Sequence, residues 1–372
     1  MGRVSYTGAR IFDGAQFRDG ALIVDEGRVV GFGAAEGHVV SLDGGVIAPG
    51  FLDLQVNGSG GVAVDADTDL AALETICRVQ AGLGATGCLP TLITDTPEAT
   101  ARVVEAGIAA TKAQVPGFLG LHLEGPHLDV RRKGAHDAGL IRRMEARDLA
   151  LIIEAAAELP ALMVTVAPES VAEDQIAAMA AAGVIVSLGH SDCRAVEARA
   201  AMAAGARCAT HLFNAMSQMG NREPGLVGAV LAGDGFAGLI ADGLHVDPVT
   251  LRVALAAKRE GIFLVSDCMA VAGTEATEFH LGGRRILRSQ GRLTLADGTL
   301  AGADLTLPRA VQVLVEEVGI APERALAMAT SIPAAVIGRG DLGHLRPGAR
   351  ADMVHLAPDW ALRGVWRGGV AV

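Results

Sequence analysis

Apolar and polar positions in the middle of the chain follow a repeating rhythm. In "AAMAAAGVIVSLGH", "ARAAMAAGARCATH" and "ALAAKREGIFLVSD" an Ala-rich helical segment stops at a glycine, and a short apolar run then finishes on His190, His211 and Asp267. Glycine just past a helix is a stop signal, and the apolar run after it reads as a strand. "VPGFLGLHLEGPHL" adds a strand ending on Glu124, and "LMVTVAPE" one ending at Pro168 and Glu169. Strands that are apolar almost throughout are buried on both faces, which implies a parallel sheet covered by helices. Repeated over residues 49–336, the pattern predicts an α/β fold, a (β/α)8 TIM-type barrel, with its chemistry at the strand C-termini. The main rival is a doubly wound open sheet, but no glycine-rich dinucleotide fingerprint follows an early strand.

The two ends read differently. Residues 1–48 consist of short strands and turns, as in "ALIVDEGRVVGFG", and residues 337–372 return to that style with Pro-Gly and Asp-Trp turn signals. Both ends are predicted to pair into one small β-sandwich domain. Where the barrel begins, "FLDLQVNG" alternates strictly, so a strand places Asp53, Gln55 and Asn57 on one face and Leu52, Leu54 and Val56 on the other. Three polar side chains directed into a fold need partners or a task.

Composition narrows the class. The chain has 372 residues, 51% of them hydrophobic, and a mean hydropathy of +0.38. Its apolar stretches are broken by Glu and Pro well before bilayer-spanning length, so no membrane association is expected. "MGRVSYTGARIFDG" lacks the apolar run of a signal peptide, and Cys77, Cys88, Cys193, Cys208 and Cys268 show no metal or redox spacing. Both features lead us to expect a cytoplasmic protein. A formal net charge of −11 opposes nucleic-acid binding, so an anionic ligand must be held by a local cluster of donors.

Glu124, His190 and His211 form a chemically sensible ligand set for one divalent cation. Two imidazoles and a carboxylate suit zinc most naturally, with iron, manganese or cobalt as alternatives, and leave a position open for water. Asp267 can accept the proton of that water. Any one strand-end histidine is easily structural, but four such residues at strand ends of a regular βα repeat are hard to read as packing.

The text around these residues carries a resemblance. "LHLEGPHL", "LGHSD", "THLFNAM", "NREPGLVGAVL", "IADGLHVD" and "LVSDCMAVAG", with "PGFLDLQVNG", "LPTLITD", "RRKGAH" and "LRPGARADMVHL", resemble the N-acetylglucosamine-6-phosphate deacetylases of the amidohydrolase superfamily over nearly the whole chain. The resemblance implies hydrolysis of the acetamide of N-acetyl-D-glucosamine 6-phosphate by a metal-activated water, with Asp267 as general base and then acid. Binuclear amidohydrolases end the first barrel strand with His-x-His, whereas Gln55 and Asn57 stand here. No barrel strand ends on Lys112, Lys133 or Lys258, the only lysines, so a bridging carboxylated lysine is absent. One metal per subunit is therefore expected, with Gln55 and Asn57 filling the vacated second-metal site by hydrogen bonding. The alternative is that these amides merely satisfy neighbouring backbone.

The same resemblance assigns His136 to polarising the carbonyl and His245 to contacting the substrate. Arg222 can clamp phosphate oxygens with its planar fork, aided by main-chain N–H groups near Asn214 and Ala215. The resemblance implies that Arg222 reaches the partner's site in a homodimer; the plain alternative is an exposed charge paired with Glu223. Cys268, His127 and Ile332 depart from the family pattern without removing a ligand. Three other functions remain open: deacetylation of N-acetylgalactosamine 6-phosphate, another amidohydrolase reaction, and a catalytically silent barrel serving in assembly.

Overall fold

The computed structural model describes residues 2–372. Eight strands stand side by side in chain order, each parallel to the next. They are Phe51–Val56, Ala85–Ile93, Leu121–Glu124, Leu162–Val166, Ile185–Leu188, Cys208–Ala209, Phe236–Leu239 and Ile262–Leu264. The eighth returns to the first. Asp267 N–H donates to the Gln55 carbonyl at 3.1 Å and Asn57 N–H to the Cys268 carbonyl at 2.9 Å, closing the barrel.

Helices form where the sequence supplies ends for them. Pro97–Lys112 starts on Thr96, whose side chain accepts from Ala99 N–H, and it has Pro at its first position, Glu98 in the first turn and Lys112 in the last. Glu173–Ala181 ends before Gly183, whose φ of 86° is the left-handed conformation that stops a helix cheaply only at glycine. Inside the barrel a polar chain, His122 to Thr165 to Thr210 to Ser187, runs through hydrogen bonds of 2.6–2.7 Å.

The strands are shorter than the apolar runs suggested. The ladder stops at Leu188, Ala209 and Leu264, so His190, His211 and Asp267 lie just beyond their strands rather than on the last residue. The same holds for Pro168 and Glu169 beyond Val166, whereas Glu124 does close its strand. The cause is backbone conformation: His190, His211 and Asp267 have φ of 47°, 33° and 51°, which a strand cannot accommodate.

The chain ends supply two further sheets. Arg28–Gly33, Ala21–Asp25, Val4–Thr7 and His38–Ser41 make one; Val370–Ala371, Leu362–Arg367, Met353–Leu356, Val46–Pro49, Arg10–Phe12 and Phe17–Arg18 make the other, which joins both ends of the chain. Tyr6, Leu22 and Val24 from the first pack with Ile11, Ile47 and Met353 from the second in one apolar cluster. The hairpin foreseen in "ALIVDEGRVVGFG" turns at Glu26 and Gly27, with φ of 46° and 76°, the two positive values of a tight hairpin turn.

A four-stranded antiparallel sheet, Glu278–Leu281, Arg284–Ser289, Arg292–Thr294 and Leu300–Ala303, interrupts the last βα unit. The barrel reading overlooked it, although Gly282-Gly283 and Gln290-Gly291 are two-residue hairpin signals, each with positive φ at both positions. No helix among the described residues is long and apolar enough to cross a membrane.

Candidate metal centre and active site

Glu124, His190 and His211 meet at the C-terminal mouth of the barrel, all buried, with ligand atoms within 4.8 Å of one another. Glu124 Oε1 lies 3.2 Å from His190 Nε2 and 3.0 Å from His211 Nε2, and the two Nε2 atoms are 3.0 Å apart. His190 Nδ1 donates to the Arg132 carbonyl at 2.8 Å, which fixes the tautomer that turns the Nε2 lone pair inward. Burial alone would push the Glu124 carboxyl up, but hydrogen bonds to His190 and His211 outweigh it and hold it well below the usual range. For His211 burial acts downward, and the Glu124 carboxylate overcomes it and raises the imidazole. Three donors crowded round one point, two of them imidazole nitrogens, fit a divalent cation by type and placement.

Gln55 and Asn57 answer why the first strand is polar on one face. Gln55 Nε2 stands 3.2 Å from each Glu124 oxygen and 3.1 Å from Asp267 Oδ1, while Asn57 Nδ2 donates to the same Oδ1 at 2.7 Å. The Gln55 side chain bridges the two carboxylates and Asn57 binds one of them, so the reading that they only serve nearby backbone is not what the geometry gives. Burial, with the nearby Glu124 charge, pushes the Asp267 carboxyl up to about 6. Asn57 Oδ1 and His211 Nδ1 are buried here without a partner among the described residues.

His136 also lies in this cavity, its ring centroid 4.3 Å from that of His190. Its Nδ1 accepts from Thr94 N–H at 3.3 Å and lies 2.8 Å from Thr94 Oγ1. An acceptor Nδ1 leaves the proton of the neutral ring on Nε2. Burial, followed by the charge of His190, lowers the His136 imidazole well below its ordinary value, so it stays neutral. His245 is held by Asp242, whose Oδ2 is 2.6 Å from Nδ1. Burial pushes Asp242 up, but the His245 contact prevails and lowers it.

Asn214, Ala215 and His245 line the same cavity of about 240 Å³. Asn214 N–H is already donated to the His211 carbonyl at 2.9 Å. Arg222 is exposed and outside the cavity, and Glu223, its expected surface partner, accepts instead from Ala195 and Gly225 N–H. The inserted sheet adds Leu281, Thr299, Leu300 and Gly302 as a wall. A Cβ at Gly302 would stand 2.6 Å from Met269 and 2.9 Å from the Asp267 carbonyl, so only glycine lets the insert approach this closely. Sequence reasoning gave no role to Thr94, Asp242 or this wall. Thr94 follows the second strand at its C-terminal end, and Asp242 precedes His245 by three residues; both placements were signals.

A larger cavity, about 1100 Å³, opens at the N-terminal ends of the strands, where Leu52, Thr86 and Leu119 lie beside Arg28 and Arg346. It gathers none of Glu124, His136, His190, His211 and Asp267.

The chain is 38% identical over 330 residues, 88% of its length and 83% of the relative's, to an N-acetylgalactosamine-6-phosphate deacetylase of Shewanella sp. (strain ANA-3). It is 34% identical over 329 residues, 87% of its length and 86% of the relative's, to an N-acetylglucosamine-6-phosphate deacetylase of Haemophilus influenzae. The crystal structure of N-acetylglucosamine-6-phosphate deacetylase from Pasteurella multocida superposes with a TM-score of 0.94 at 32% identity, covering 100% of this chain and 99% of that one. With residues 46–372 matching the amidohydrolase family model, the chain belongs to the amidohydrolase family.

Proposed function

We propose that this protein hydrolyses the acetamide of an N-acetylamino-sugar 6-phosphate, N-acetyl-D-glucosamine 6-phosphate first, releasing acetate and the free amine. The observation that carries the reading is the meeting of Glu124, His190, His211 and Asp267 in one cavity. Glu124, His190 and His211 are the residues that would hold a cation, with zinc first and iron, manganese or cobalt alternatives. When bound, it supplies Lewis acidity, bringing the pKa of water toward about 7 and drawing charge from a carbonyl oxygen.

The chain's own groups do the rest. Asp267 Oδ1 is taken by the amides of Gln55 and Asn57, which leaves Oδ2 to collect a proton from water and pass it to the departing amine nitrogen. His136 Nε2–H donates to the acetyl oxygen as negative charge develops there. The Gln55 amide donates between Glu124 and Asp267 where a second cation would otherwise be needed, which supports one metal per subunit. His245 and the main chain at Ala215 hold the sugar phosphate. Arg222, exposed and outside its own cavity, reaches the site of a second subunit in a homodimer. The reaction is read as cytoplasmic.

Following acetate release from N-acetylglucosamine 6-phosphate and N-acetylgalactosamine 6-phosphate tests the reading. Turnover of neither sugar overturns it. Preference for the galacto epimer moves the substrate to the second reading, which the 38% identity to the Shewanella enzyme favours.

A further inference from the structure

We infer that Asp53, which does not line the cavity, is a positioning residue that sets the orientation of Asp267 by clamping both sides of the barrel seam. The inference rests on the reading of Asp267 as the proton carrier.

The seam between the eighth strand and the first is not a regular ladder. One rung is supplied by a side chain: the Asp53 carboxylate accepts from Ser266 N–H, 3.2 Å to Oδ1 and 3.3 Å to Oδ2. The same Oδ1 accepts from Gln55 N–H at 3.2 Å. One carboxylate thus holds the main chain of Gln55 and of the residue preceding Asp267. These are the two backbones whose side chains meet as Gln55 Nε2 and Asp267 Oδ1 at 3.1 Å. The next rung, Asp267 N–H to the Gln55 carbonyl at 3.1 Å, continues the clamp upward.

The position is a costly one for an acid. Asp53 is fully buried, and Asp267 adds like charge to the burial that pushes its carboxyl up to about 7. An apolar residue there would leave Ser266 N–H without its acceptor inside the barrel, and a buried donor without a partner is the more disruptive outcome. Asp267 also sits at φ 51°, a conformation that persists only where the surroundings hold it. Asp53 supplies that hold one residue before the strained position. Release of the seam lets Asp267 rotate away from Gln55 and Asn57 while Glu124, His190 and His211, on or just beyond other strands, keep their places.

The test compares Asp53→Ala, Asp53→Asn and Asp267→Asn in the metal-loaded protein, measuring kcat, KM and metal per subunit. Asp53→Ala should lower kcat at least tenfold with KM and metal content within twofold of the parent, and Asp53→Asn, which keeps one acceptor oxygen, should recover most of the loss. A folded Asp53→Ala with full kcat overturns the inference, as does a loss that follows metal content or KM. Should Asp53→Ala fail to fold, Asp53→Ser decides in its place by the same kcat criterion. An active Asp267→Asn would sink the underlying reading of the site instead. An inactive Asp267→Asn beside an unaffected Asp53→Ala sinks only the positioning role.

Discussion

The Nε2 atoms of His190 and His211 stand 3.0 Å apart over one oxygen of Glu124. Two imidazole lone pairs at that distance repel unless a proton or a cation lies between them. Dialysis against a chelator should therefore abolish deacetylation, and about one equivalent of zinc, iron, manganese or cobalt should restore it. Cation present at a hundredfold excess over its dissociation constant adds about 2.7 kcal/mol to stability. The apo protein should accordingly melt several degrees lower by calorimetry. A requirement for two equivalents would contradict the place given to Gln55 and Asn57.

Asp267 must be ionised to accept a proton, and burial with the Glu124 charge sets its carboxyl at about 6 before a cation is bound. Turnover requires the cation, whose charge favours the carboxylate, so the acid limb of kcat/KM should lie below about pH 6. Asp267→Asn should retain metal and lose about 10²–10⁴-fold in kcat, the range of general acid–base catalysis. Full turnover in that variant, with metal bound, would remove Asp267 from the mechanism.

The tautomer of His136 depends on Thr94, whose N–H meets Nδ1 at 3.3 Å and whose Oγ1 lies 2.8 Å from it. His136→Ala should reduce kcat by about 10²–10³-fold, as loss of one preorganised donor to a developing oxyanion does. Thr94→Val keeps the backbone donor and loses only the hydroxyl, so a smaller loss is expected, about tenfold. Steady-state kinetics on both variants separates the two contributions; equal losses would place Thr94 in a role of its own.

Arg222→Ala should raise KM for the phosphorylated sugar by about 10–100-fold, the worth of a charge-assisted hydrogen bond, and leave the unphosphorylated sugar unaffected. Mixing Arg222→Ala with Asp267→Asn subunits offers a second check. If Arg222 acts across subunits, the Asp267-intact site of a mixed dimer receives its arginine from the other chain, and activity returns to part of the parental value. No recovery in a verified mixed dimer would confine Arg222 to its own subunit.

Much of this was legible in the sequence because each feature rests on local chemistry. Helix-stop glycines followed by apolar runs announced the barrel, and the polar residues closing those runs announced the cluster of Glu124, His190 and His211. What was not legible depended on contacts between distant segments. Thr94 and His136 are 42 positions apart and Asp53 and Ser266 are 213 apart, and no periodicity relates either pair. Strand lengths were misjudged for another reason: hydrophobic pattern reports burial, not ladder pairing, and it cannot sense the positive φ at His190, His211 and Asp267. The inserted sheet was a different failure, since its Gly-Gly and Gln-Gly turns were readable and were masked by the expectation of an unbroken repeat.

Asp53 also makes stability depend on pH, with a sign opposite to that of an ion-paired carboxylate. Burial raises its carboxyl in the folded protein to about 7, from 3.8 when unperturbed. Between those values the folded state binds more protons than the unfolded one, so the contribution is fully present below about pH 4 and is lost as pH rises through about 7. Three pKa units correspond to roughly 4 kcal/mol. Asp53→Asn cannot titrate and should lack this decline, although its amide introduces donors that cost stability at every pH. The comparison therefore concerns slopes. Denaturant unfolding of both proteins from about pH 4 to about pH 8 should show the gap between them moving in favour of the variant by several kcal/mol. Parallel curves would mean that Asp53 stays ionised throughout, held by the N–H groups of Gln55 and Ser266 more firmly than burial opposes it.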